Sequence, residues 1–109
     1  MTLEELLTSL QGLETGLRSA EVQGFFEKQP ENIRKRFVSF RQEVSFLVGK
    51  LTNAQLSRIA QKLEELSDDL SAGIGELQGK IDALNNAVVI LNDLAALLGL
   101  VARIAAIAA

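Results

Sequence analysis

Seven leucines at seven-residue intervals constrain this chain more than any other feature: Leu56, Leu63, Leu70, Leu77, Leu84, Leu91 and Leu98. An α-helix with that apolar period presents one continuous seam along its length. Ile74, Ile81 and Val88, each three residues before a leucine, fill a second row beside it. The pattern predicts one long helix over about 53–107. At about 1.5 Å per residue it would extend roughly 80 Å if straight, too long for a compact domain of 109 residues. Two close glycines, Gly73 and Gly75, mark the weak point. A turn there would give a four-helix bundle. A turn usually shifts the register, however, and the leucines stay in step across 73–75.

The fold class expected is all-α. Neither β-branched nor aromatic residues alternate with polar ones over a useful stretch, and a single proline is present. One domain is expected at this length, with a small but sufficient core. Thr2 and Glu5 fit a capping box at a helix start. Leu3, Leu6, Leu10, Leu13 and Leu17 then follow at alternating spacings of three and four, an amphipathic helix reaching about Glu27. Gln29-Pro30 breaks it, because the residue before a proline is pushed away from helical angles. A second helix over about 31–50 shows Ile33, Phe37, Phe40, Val44, Leu47 and Leu51 on one side. The phase slips at Thr52, and Thr52 with Gln55 suggests a further capping box after a turn near 49–53. The expected architecture is an antiparallel helical hairpin packed on one long heptad-patterned helix.

Charge is unevenly distributed. Residues 1–27 carry five acidic side chains against Arg18, whereas residues 31–50 carry five basic ones against Glu31 and Glu43. Complementary flanks of this kind favour an antiparallel pairing of the first two helices, though surface ion pairs add little each. The cluster Arg34, Lys35, Arg36 and Arg41 beside Phe37 and Phe40 has the residue types that contact phosphate. The phenylalanines fall on the apolar seam, so the charges read as a solvated face. A formal net charge of −3 also disfavours nucleic acid.

Residues 87–109 are strongly apolar, with large side chains pointing nearly all round the helix. Asn92, Gly99 and Arg103 form a narrow polar or small strip. A helix apolar all round is buried in protein or lipid, and about 20 such residues suffice to span a bilayer. On an insertion scale the apolar residues contribute about −3 to −6 kcal/mol, while Asp93 and Arg103 together cost up to about +5 to +7 at the bilayer centre. A lone stable span is therefore not expected. The residues expected to form an interface are Leu70, Ile74, Leu77, Ile81, Leu84, Val88, Leu91, Leu94, Leu98 and Val101. Their spacing resembles a leucine zipper, but no basic region precedes the seam, and DNA binding does not carry over.

Catalytic and metal chemistry find little footing. The chain has no histidine and no cysteine, which removes the commonest general base, the commonest metal ligand and any thiolate. No catalytic, cofactor-binding or metal residue is assigned. Glu64, Glu65, Asp68 and Asp69 lack a chelating loop. The acidic start, Met1-Thr2-Leu3-Glu4-Glu5, is not a secretory signal, which favours the cytoplasm. The leading expectation is a non-enzymatic helical assembly protein that self-associates, or docks on a helical partner, through its long C-terminal helix. The alternative is a membrane-active protein, pore-forming or membrane-docking, that uses 87–109.

Overall fold

The computed structural model describes residues 1–108, with the side chains described through Ile107. Ala109, the last residue of the apolar segment, lies outside the described residues. Five helices follow in order: α1 (Leu3–Leu17), α2 (Ala20–Glu27), α3 (Glu31–Thr52), α4 (Leu56–Ala83) and α5 (Ala87–Ala108). The fold is all-α, as the periodicities require.

Each helix start has a local cause. At α1 the Glu5 N–H donates to Thr2 Oγ1, and the Thr2 N–H donates back to Glu5 Oε1, both at 3.1 Å. The bond from the Thr2 backbone holds the Glu5 carboxyl below its ordinary pKa. The helix expected over 3–27 divides at Arg18–Ser19. Ser19 takes extended backbone angles, and its hydroxyl accepts from the Val22 N–H at 3.3 Å, which starts a new helix in a new direction. Pro30 is the N-cap of α3. The turn expected near 49–53 lies at Asn53–Gln55 instead. Thr52 does not cap α4, because its hydroxyl bonds back to the Val48 carbonyl at 2.7 Å and Thr52 remains the last residue of α3.

The single rod expected over 53–107 is divided. α4 runs through Gly73 and Gly75 unbroken, and the chain reverses at Leu84–Asn86. Leu84 adopts left-handed angles (φ 47°, ψ 41°), and its N–H closes onto the Lys80 carbonyl. Asn86 Oδ1 then accepts from the Val89 N–H at 3.1 Å and caps α5. Left-handed geometry costs a leucine roughly 1–2 kcal/mol. The half-buried Leu84 side chain, packed on the core, offsets that cost. The seam stays in step across the reversal because both helices turn it toward the same core. A longest dimension of 43 Å replaces the rod of about 80 Å.

Four helices close a ring in which α4 packs on α5, α5 on α3, α3 on α1 and α1 on α4. α2 caps one end against α3 and α1. The α4–α5 pair is antiparallel: Lys80 meets Asp93 near the turn, and further along a Cβ placed on Gly73 would lie 3.6 Å from Leu97 Cδ1. The pairing of α1 and α2 with α3 is antiparallel as well, with Glu14 against Ser45 and Phe26 stacked on Phe37 at 4.1 Å between ring centroids. Leucines dominate the continuous core, and none of the described polar or charged side chains is buried. The accessible surface of 6051 Å² matches the roughly 5,900 Å² expected of a compact monomer of 11.8 kDa.

Gly75 lies inside α4 with nothing within 4 Å of the place a Cβ would occupy. Gly75→Ala should therefore raise the unfolding free energy by about 0.5–1 kcal/mol in urea titration, because alanine loses less backbone entropy in a helix.

Candidate functional site

α5 is the element whose composition exceeds what its packing demands. Its inward side presents Ile90, Leu91, Leu94, Leu97, Leu98, Val101, Ile104 and Ala105, all buried. These side chains meet α4 on one flank and α3 on the other. Its outward side presents Val88, Val89, Asn92, Ala96, Gly99, Arg103, Ala106 and Ile107, all exposed. Among the described residues of that outward side, Arg103 is the one charge. A surface helix ordinarily carries charged residues there.

The residues expected to form an interface fall into three groups. Leu70, Leu77, Ile81, Leu91, Leu94, Leu98 and Val101 are buried within the chain. Ile74 and Leu84 are half-buried against the same core. Val88 is exposed. This distribution has a plain cause: with the rod folded back at Leu84–Asn86, its two halves and α3 cover one another. Asn92, Gly99 and Arg103 do form a strip, and it faces outward. Asn92 Oδ1 accepts from Arg36 Nη2 of α3 at 3.3 Å, which ties the strip to the basic helix.

The Lys80 ammonium donates to the Asp93 carboxylate across the α4–α5 turn. That bond, with the nearby negative charge of Asp93 and Glu76, raises the Lys80 pKa, while burial opposes the rise. A lysine raised in the folded state contributes stability fully present below its unfolded pKa of about 10.4 and lost as pH rises through the folded value. The difference in melting temperature between wild type and Lys80→Met should therefore stay constant from neutral to mildly alkaline pH. It should shrink above pH of about 10.4 in a thermal melt series.

Of the basic cluster, Arg34 and Lys35 are exposed, and Arg36 lies 5.7 Å above the Phe40 ring. Phe37 is buried, as its place on the seam requires, and Phe40 is half-buried. Two exposed apolar side chains on α3, Val38 and Phe46, lie off the seam and are not apparent from it. Their signal was a large apolar residue at a position where helical spacing expects a polar one. Among the described residues, no three acidic side chains are placed to hold a metal ion together.

Ala87–Ile107 is long and apolar enough to cross a membrane by length and composition, and 44% of it is buried within the bundle. A core helix of a soluble bundle meets the same criterion. What sets α5 apart is the uncharged character of the side that the bundle leaves open. Comparison with protein-family models, curated protein sequences and solved structures returned no match.

Proposed function

We propose that this protein is a non-enzymatic, membrane-docking helical bundle that holds α5 sheltered in water and delivers it to a bilayer. The observation that carries the reading is the outward side of α5, which is apolar or small except for Asn92 and Arg103 although it faces solvent. The inward side buries its leucines against α3 and α4. Those side chains would find an equally apolar environment among acyl chains, so for α5 itself transfer exchanges one apolar solvent for another, provided that lipid also covers the seams of α3 and α4 it leaves. Asp93 lies six residues inside the start of α5 and Arg103 five inside its end, so neither falls at the bilayer centre, where a charge costs most. The Leu84–Asn86 reversal joins α5 to the bundle through three residues, one of them in strained left-handed geometry. That is a natural pivot for an opening hairpin. Sedimentation with and without phosphatidylcholine–phosphatidylserine vesicles tests the reading. The protein should float with the vesicles. A protein that stays behind in every lipid mixture would defeat it.

Self-association is a second reading, supported by the small residues of the outward strip. Ala96, Gly99 and Ala106 would let another helix approach α5 closely. A defined oligomer in lipid-free buffer that ignores vesicles would favour this reading over the first.

A further inference from the structure

The ring order of the helices divides the molecule into two unlike edges. On one edge α3 and α5 are neighbours, and on the other α1 and α4 are. α3 carries five basic residues against Glu31 and Glu43, a net of +3, and α5 balances Arg103 against Asp93. α1 carries three acidic residues and no basic one, and α4 carries six acidic against three basic, so the two helices together have a net of −6, although Asp69 and Glu76 of α4 line a cleft beside Asp93 of α5. The exposed large apolar side chains divide the same way. Val38 and Phe46 belong to α3, and Val88, Val89 and Ile107 to α5; Leu56, at the start of α4, is the exception among the described residues. Phe46 is 64% exposed, and the Lys50 ammonium lies 5.7 Å from its ring centroid. Lys35 reaches Glu31 one turn back on the same exposed side.

From this juxtaposition we infer that the α3–α5 edge is an oriented landing surface for an anionic phospholipid membrane, with the α1–α4 edge turned toward water. The inference rests on the bilayer reading of α5 and names the lipid class and the orientation. Two physical effects act together. A negative lipid surface attracts the basic side chains of α3 and repels the acidic edge, which sets the orientation before contact. Phe46, already in water, then enters the headgroup layer without unfolding anything, and α5 packs against the same helix; Val38 lies on the α2 flank of α3. Arg36, bonded to Asn92, joins the charged helix to the apolar one. A polyanion such as nucleic acid would satisfy the basic residues but would leave the exposed aliphatic side chains of α5 without a partner.

The chain contains no tryptophan, so Phe46→Trp provides a single emission probe on the exposed side of α3. Its emission should shift to the blue with vesicles of phosphatidylcholine and phosphatidylserine and remain unchanged with phosphatidylcholine alone. Added salt should reverse the binding. Neutralising Lys35 and Lys50 to glutamine in the probe variant should weaken partition roughly fivefold per residue. Neutralising Glu64 and Glu65 on the opposite edge should not weaken it. All four positions are on the surface, and an unchanged thermal midpoint shows that the fold is intact. Equal binding to neutral vesicles, or indifference to the Lys35 and Lys50 changes, overturns the inference even if α5 enters the bilayer. Binding confined to anionic vesicles while a probe on α5 stays in water upholds this surface and overturns the delivery of α5. Absence of binding to either vesicle overturns both.

Discussion

Removal of residues 87–109 is expected to abolish cooperative unfolding rather than leave a shorter stable bundle. α5 supplies nine of the 26 buried apolar residues found among the described residues: Ala87, Ile90, Leu91, Leu94, Leu97, Leu98, Val101, Ile104 and Ala105. Fully burying one large apolar side chain is worth about 1.5–3 kcal/mol, whereas a whole domain retains only about 5–15 kcal/mol. The loss therefore exceeds the margin several-fold, and it uncovers the seams of α3 and α4 as well. A truncated chain should show no sigmoidal transition in urea by circular dichroism and should associate through the uncovered seams. A truncated chain that melts cooperatively near the wild-type temperature would show that α5 is an appendage, not a wall of the core.

Leu77→Ala should weaken the bundle in water and at the same time quicken its engagement with lipid. Leu77 is buried on α4, between the Gly73–Leu97 and Lys80–Asp93 contacts, and so lies on the side that faces α5. Emptying that place costs about 2–5 kcal/mol of folding free energy through lost burial and a residual cavity. The substitution leaves the sequence of α5, and hence its intrinsic affinity for a bilayer, untouched. If α5 must leave the bundle to reach lipid, the opening step becomes easier by part of that energy. Urea titration should show the loss, and stopped-flow mixing with vesicles should show faster entry of a probe on α5. A destabilised variant that engages vesicles at the wild-type rate would mean that α5 does not separate from α4.

Much of this architecture can be read from residue spacing, and the places where spacing misleads are informative. The stripes of α1 and α3 appear as periodic leucines and phenylalanines, and the same residues are buried, Leu3 and Phe40 only partly. The break at Gln29–Pro30 follows from proline's steric demands. Phase continuity hides the division of the long rod at Leu84–Asn86, because an unbroken phase looks the same in one continuous helix. A three-residue reversal keeps the phase when both helices bury their seams in one core. The signal lay in Asn85-Asn86, a pair suited to turns and caps, standing directly before an apolar run. The division at Ser19 has a similar origin, since one hydroxyl cap suffices to redirect a chain. The strip of Asn92, Gly99 and Arg103 is legible from spacing, but the direction it faces depends on which helices fold against α5. The charge contrast between the two edges depends on ring order, which no local pattern encodes.

Delivery of α5 to a bilayer is tested most directly by a tryptophan placed on α5 itself. Leu100 is half-buried on α5, and Leu100→Trp introduces the only indole in the chain. Vesicles of phosphatidylcholine and phosphatidylserine brominated along the acyl chain quench an indole that reaches the hydrocarbon. The emission should shift to the blue and be strongly quenched by the brominated lipid, while the same protein in buffer keeps the emission of a half-exposed site. An indole that keeps its aqueous emission and escapes quenching at saturating lipid would contradict the account, leaving α5 as the core helix of a closed bundle.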